Sequence, residues 1–244
     1  MQDFFKNKQI WVTGAGAGIG RALCLRLNTL NASVVAISKS YDRLKTLQME
    51  APSICIVAVD LRDWDATKTA LESLPAPHGV VNNAGVAVLR PILELEEKDF
   101  DSTFSVNVKA ALNVTQIASK KMIDNHLKGS IVNVSSQAAM AALADHAVYC
   151  SSKAALDGLT RSSALELGRH GIRINSVNPT VIMTDMGRLG WSDPEKSKTM
   201  LSKIPLGRFG EVDEVINAVL FLLSDQSSLI TGTSMPLDGG FTAC

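Results

Sequence analysis

Tyr149 and Lys153 stand four residues apart in the stretch Tyr149-Cys150-Ser151-Ser152-Lys153. On a helix, that spacing puts both side chains on one face, one turn apart. A phenol beside an ammonium is a tunable acid. The positive charge favours the phenolate and is expected to lower the tyrosine pKa from about 10 towards the working pH. Such a pair can donate a proton to a developing alkoxide or take one from an alcohol. The same spacing also describes an ordinary surface pair, so its chemistry depends on what the rest of the chain brings to it.

A second group of residues could hold a phosphate. Thr13-Gly14-Ala15-Gly16-Ala17-Gly18-Ile19-Gly20-Arg21 follows an apolar, β-branched run. Gly14, Gly18 and Gly20 form a G-x-x-x-G-x-G pattern; the commoner G-x-G-x-x-G fails because position 19 is Ile19. Glycines there let the backbone turn tightly and approach a pyrophosphate, which then rests on the next helix N-terminus. A carboxylate about 20 residues further on would grip the ribose 2′-hydroxyl of NAD. Here the second apolar run ends in Ser38-Lys39-Ser40 instead. A hydroxyl and an ammonium suit a 2′-phosphate, which points to NADP(H), with Arg21 and Arg43 as further cations.

The elements that must carry these groups alternate. Strands are predicted at 9–13, 33–37, 54–59, 79–81, 130–134, 172–177 and 233–237. Helices are predicted at about 19–30, 42–50, 65–74, 100–125, 148–169, 195–203 and 212–223. This pattern predicts an α/β fold: a Rossmann-type, doubly wound parallel sheet of about seven strands with helices on both faces. The chain has 244 residues, 46% hydrophobic and 20% charged, without a Pro/Ser/Gly linker, which predicts a single domain. The dinucleotide part is expected over about 1–135 and the catalytic and substrate part over about 136–244. Lys+Arg and Asp+Glu balance at 24 each, which argues against a nucleic-acid partner. No apolar run is long enough to span a membrane, and the chain start lacks a signal-peptide pattern. Cys24, Cys55, Cys150 and Cys244 show no metal-ligand spacing, so a reduced, cytoplasmic protein without a bound metal is expected. Cys150 reads as a small buried thiol, since no base is placed for it.

Four segments now form one pattern: the glycine loop, Asn82-Asn83-Ala84-Gly85, Ser135-Ser136, and Tyr149-x-x-x-Lys153. With Asn178-Pro179 and Asp238-Gly239-Gly240, it resembles the short-chain dehydrogenase/reductases over nearly the whole chain. The resemblance implies that Tyr149 is the general acid in reduction and that Lys153 lowers its pKa and binds the nicotinamide ribose. It implies that Ser136 holds the substrate carbonyl and that Asn107 holds a water of the proton relay. Asp60 and Asn83 are expected on the adenine side, with Asn83 also a brace for the sheet, and Leu61, Ala84 and Gly85 among the cofactor contacts. Pro179, Val181, Ile182 and Thr184 complete the expected NADP(H) contacts. In isolation Ser135 and Ser136 could simply cap a helix, and Asn107 could be an ordinary polar residue.

The substrate is expected from the variable segments. Gln137, His146 and Trp191 are predicted to face it, beside Ser136 and Tyr149. His146 reads equally as a helix-start residue, and Trp191 as a loop anchor. Asn178-Pro179-Thr180-Val181, Trp191-Ser192-Asp193-Pro194 and Ile204-Pro205-Leu206-Gly207 resemble the dicarbonyl/L-xylulose reductases. That resemblance implies NADPH-dependent reduction of a small carbonyl or sugar, L-xylulose to xylitol or an α-dicarbonyl such as diacetyl, by a homotetramer. Two departures stand out: Ala17, where such relatives often carry a basic residue, and Ala138, which leaves a disulfide role for Cys244 in doubt. The remaining alternatives are a reductase of another carbonyl class, such as a 3-oxoacyl thioester or a xenobiotic carbonyl, and a dinucleotide-binding scaffold without chemistry.

Overall fold

The computed structural model describes residues 2–243; Cys244 lies outside the described residues. A short helix, α1 (Gln2–Phe5), precedes β1 (Gln9–Thr13), α2 (Gly18–Thr29), β2 (Ser33–Ser38), α3 (Tyr41–Glu50) and β3 (Cys55–Ala58). The alternation continues through α4 (Trp64–Glu72), β4 (Gly79–Asn82), α5 (Glu97–Phe104), α6 (Ala110–Asp124) and β5 (Ser130–Val134). The rest comprises α7 (Ala147–Leu167), β6 (Arg173–Pro179), α8 (Asp185–Gly190), α9 (Pro194–Leu201), α10 (Val212–Leu223) and β7 (Ser234–Leu237). The seven strands form one parallel sheet in the order β3-β2-β1-β4-β5-β6-β7. The α/β, doubly wound, single-domain expectation is met. No described helix is long and apolar enough to cross a membrane.

Strand periodicity divides the core in two. Ile10, Val12, Val34, Ala36, Val81 and Val132 face α2, α3 and α10, where they pack with Leu23, Leu27, Leu44, Val215 and Val219. Trp11, Val35, Ile37, Val80, Ile131 and Ile174 face the other way and pack with Leu71, Val114, Ile117 and Met122. Alternate side chains of a strand point to opposite faces, so a strand covered on both sides must be apolar throughout.

Two details differ from the sequence expectation. The helix expected over 100–125 is interrupted: α5 ends at Phe104, and Ser105–Lys109 form a π-turn in which Ala110 N–H bonds to Ser105 O. Such bulges occur mostly at functional sites. Residues Asp185–Gly190, read as loop, form α8, capped by Thr184 Oγ1 accepting from Gly187 N at 3.1 Å.

The strand order reverses between β1 and β4, and ligands of open α/β sheets bind outside the strand carboxyl ends at that point. There the β1–α2 turn is held from both sides. Thr13 Oγ1 accepts from Asn83 N and Ala84 N at 3.0 Å each, and Asn83 Nδ2 donates to Thr13 O at 3.0 Å and to Gly14 O at 3.3 Å. Gly14 has φ +64°. A Cβ on Gly20 would lie 2.5 Å from both Gly14 O and Asn83 Nδ2, too close for any carbon. Gly20→Ala is therefore expected to destabilise the protein by about 2 kcal/mol, read as a drop of several degrees in the thermal midpoint. An unchanged midpoint would show that the turn has slack this geometry does not contain.

Candidate active site

Helix α2 begins without a side-chain cap: its N-cap is Ala17, and no side chain accepts from its first amides. Uncapped N–H groups and the positive end of the helix dipole together make a site for a dianionic phosphate. Gly18, with φ +53°, opens onto Thr184, whose Cγ2 would be 3.5 Å from an added Cβ. Gly16 opens onto the end of β2: an added Cβ would lie 3.1 Å from Ser38 Oγ and 3.2 Å from Arg43 Cβ. The loop thus has the bare backbone and open amides that a dinucleotide pyrophosphate requires, and Ser38 and Arg43 lie beside it.

The Arg21 guanidinium donates to Glu50 at 2.6 Å and to Thr46 Oγ1 and Arg43 O on α3. Those contacts tie α2 to α3 and share the Arg21 charge with Glu50. Asp60 is engaged by Arg62, which holds its carboxyl below the usual range, and Lys39 adds to that effect. Asn83 serves as the brace described above.

The reactive side chains converge on the ends of β4, β5 and β6. Lys153 is 3% exposed and donates from Nζ to Val134 O at 2.8 Å. Asn107, in the π-turn, accepts from Val86 N at 2.8 Å and donates to Val86 O and Ser152 Oγ at 2.9 Å. Gly85 packs on both: an added Cβ would sit 3.4 Å from Asn107 Oδ1 and 3.4 Å from Lys153 Nζ. Ser136 caps a short 3₁₀ turn over Gln137–Ala139, its Oγ accepting from Ala138 N at 3.1 Å. Ser135 Oγ donates to Lys153 O, so the two serines divide the work of bracing α7 and facing the site.

The structure brings Asn107, Lys153, Ser136 and Tyr149 together. The electrostatic expectation for Tyr149 is corrected. Burial raises the Tyr149 phenol above its usual value, and a hydrogen bond from Ser136 only partly offsets this. Lys153 Nζ donates to Val134 O and lies 5.7 Å from the phenol ring centroid. Burial instead lowers Lys153 from 10.5 to about 8, with Asp157 pulling it back up.

Of the expected substrate contacts, His146 stands with its ring 6.2 Å from that of Tyr149, edge to face. Gln137 is buried beside Ser136 with its Oε1 unpartnered. Trp191 packs on Phe209 at 5.4 Å between ring centroids, which anchors the segment that follows α8. Sequence reasoning passed over Asp157 and Ser152, both buried on the same helix as the Tyr/Lys pair. Their positions eight and three residues after Tyr149 were the available signal.

A family model described as enoyl-(acyl carrier protein) reductase matches residues 14–242. L-xylulose reductase of Homo sapiens is 51% identical over the full length of both chains. The chain belongs to the short-chain dehydrogenase/reductase family. D-erythrulose reductase of Gallus gallus, another similar relative, is 52% identical over 97% of this chain and 96% of its own. A gluconate 5-dehydrogenase from Burkholderia cenocepacia, solved in complex with NADP and tartrate, is 27% identical. It superposes with a TM-score of 0.93, covering 100% of this chain and 99% of its own. In this short-chain dehydrogenase/reductase, the Tyr/Lys pair therefore sits at the carboxyl end of β5 in a dinucleotide-binding sheet.

Burying the Lys153 ammonium weakens the fold in a pH-dependent way. Its folded value near 8 lies below the unfolded 10.5, so between those values the unfolded state binds the extra proton. Stability then rises with pH across that window, and the penalty below pH 8 is about 3 kcal/mol. In nucleotide-free protein, Lys153→Met leaves Val134 O unpaired at every pH, so its thermal midpoint relative to wild type should be several degrees higher at pH 7 than at pH 10. A midpoint that falls equally at both pH values would refute the charge-burial argument.

Proposed function

We propose that this protein is an NADPH-dependent reductase of small hydroxylated or dicarbonyl substrates, with L-xylulose to xylitol and diacetyl as the leading reactions. The observation that carries the proposal is the full-length identity of about half to L-xylulose and D-erythrulose reductases, with Asn107, Ser136, Tyr149 and Lys153 all present. The bound dinucleotide supplies the hydride that reduces the carbonyl carbon. The protein supplies position, a proton and a dipole. Ser136 Oγ donates to the carbonyl oxygen and stabilises the charge that develops there. Tyr149 gives its phenolic proton to the same oxygen, and a raised phenol pKa keeps that proton in place at neutral pH. Lys153 binds the nicotinamide ribose, and Asn107 holds a water that feeds the relay. Gln137, His146 and Trp191 frame the substrate.

Residues about 1–135 hold the dinucleotide, and about 136–244 carry the catalytic and substrate parts. The amides of Gly18, Ile19 and Gly20 with Gly14 receive the pyrophosphate. Ser38 and Lys39 receive the 2′-phosphate, and the bare backbone at Gly16 beside Ser38 and Arg43 supports that assignment. Asp60, Leu61, Asn83, Ala84 and Gly85 line the adenosine side. Pro179, Val181, Ile182 and Thr184 line the nicotinamide side. The same reading includes a homotetramer in the cytoplasm. It is supported by Phe100, exposed on α5, by Leu165, exposed on the long helix α7, and by the free thiols of Cys24, Cys55 and Cys150.

The test is a panel of L-xylulose, diacetyl and an acetoacetyl thioester, each with NADPH and NADH. Turnover of the first two with NADPH is expected; strong thioester turnover without sugar turnover would overturn the substrate class, and the family model's description makes that arm necessary. Lys39→Asp should shift preference towards NADH, and equal binding of both nucleotides by the unmodified protein would remove the basis for it. Tyr149→Phe should keep NADPH binding and lose about 10²–10⁴-fold in kcat. Unchanged kcat would favour a scaffold without chemistry.

A further inference from the structure

A buried polar cluster lies behind Ser136 that the chemistry above does not use. Asp157 follows Lys153 by four residues and Tyr149 by eight, on the same face of α7. It is 4% exposed, and its carboxylate accepts from Asn178 Nδ2 at 2.7 Å and from Ser176 Oγ at 2.9 Å. Asn178, fully buried on β6, uses the same Nδ2 to donate to Ser136 O at 3.0 Å. The amide orientation follows from these neighbours: a carboxylate and a carbonyl only accept, so both must face the NH₂ group. Ser176 Oγ also reaches Asn178 Oδ1 at 3.2 Å and Ser234 Oγ at 3.1 Å, which extends the cluster to β7.

We infer that Asp157 and Asn178 are positioning residues that set the Ser136 hydroxyl against the Tyr149 phenol. The chain of contacts runs from α7, which carries Tyr149 and Lys153, through Asp157 to Asn178 on β6, and from there to the Ser136 carbonyl. Two elements that supply opposite sides of the reacting carbonyl are thereby fixed by one amide. Both of its hydrogens are spent, so Asn178 cannot move without leaving a buried carboxylate or carbonyl unpaired. Reduction needs Ser136 Oγ and Tyr149 Oη on one substrate oxygen at once, and small misplacements of such groups are costly.

The inference rests on the reading of Ser136 as the carbonyl-binding hydroxyl. The experiment measures diacetyl reduction and NADPH Kd for Asn178→Ala, Asp157→Ala, Asp157→Asn, Ser136→Ala and the Asn178→Ala/Ser136→Ala double variant. Asn178→Ala is expected to lose about 10–100-fold in kcat while NADPH Kd stays within about threefold. Asp157→Asn can still accept from Asn178 and donate to Ser176 Oγ, so it should recover most of what Asp157→Ala loses. In the double variant, Asn178→Ala should add little to the loss from Ser136→Ala, because it acts through that hydroxyl. Full kcat in Asn178→Ala beside a crippled Ser136→Ala would overturn the inference alone, as would losses that multiply or an NADPH Kd that rises in step with the fall in kcat. Full kcat in Ser136→Ala would overturn the reading of Ser136 and the inference with it. Should Asp157→Ala not fold, the Asn178 cycle decides.

Discussion

A parallel sheet brings the carboxyl ends of its strands to one edge, and each strand stops there with peptide groups that pairing no longer satisfies. Buried peptide groups need partners, and in this protein side chains from other elements provide them. Asn83 Nδ2 takes Thr13 O, Lys153 Nζ takes Val134 O, and Asn178 Nδ2 takes Ser136 O. Thr13 Oγ1 in turn receives the amides of Asn83 and Ala84. The site grows out of that obligation: Lys153 and Asn83 close strand ends beside the cleft, and Asn178 closes the Ser136 carbonyl from behind it. Further inside, Asn82 donates to Asn133, and Asn133 donates to Thr160, which pins β4 and β5 to α7 before the cleft begins.

Burial then sets the proton inventory. Tyr149 and Lys153 move in opposite directions, the phenol up and the ammonium down to about 8, and desolvation leads both shifts. Each group is pushed towards its neutral form, the phenol staying protonated while the ammonium keeps its charge only below about pH 8. A phenol kept protonated suits a proton donor, whereas a depressed one would suit a base. The mutual Tyr/Lys effect inferred from spacing alone assumes a water-like surroundings for both. Asp157, four residues on, is the carboxylate that keeps the ammonium from falling further.

Periodicity and residue types carried most of the architecture. Apolar runs such as Val34–Ile37 and Ile131–Val134 have one reading when amphipathic stretches separate them. The glycine loop and the Tyr149/Lys153 pair could be singled out by residue type and spacing, whereas Asn107 and Ser136 were picked out only by the family resemblance. What stayed hidden depends on contacts between distant segments. The π-turn at Ser105–Lys109 costs one residue of register, and no residue type announces it. Arg21 had the right charge in the right place along the chain, but Glu50, 29 residues away, claims its guanidinium at 2.6 Å. The Asp157–Asn178 pair spans 21 residues and joins a helix to a strand, so neither partner alone reveals it.

The cofactor preference follows from a similar accounting of charge at the end of β2. An acid there would accept the ribose hydroxyls; this strand ends in Ser38 and Lys39. Asp60, a carboxylate whose charge Lys39 feels, is tied by Arg62 through hydrogen bonds at 2.5–3.1 Å, so its charge is already answered. Arg21 is neutralised by Glu50. With Ala17 adding no cation, Arg43 is the positive group recorded beside the backbone of Gly16, and Lys39 follows Ser38 in the chain. A 2′-phosphate placed there meets two cations and a hydroxyl and displaces no ion pair, whereas a bare 2′-hydroxyl finds no carboxylate to accept from it. The discrimination therefore rests on few groups, and exposed ones, which makes it sensitive to ionic strength in a way that the buried Tyr149–Lys153–Asp157 face is not.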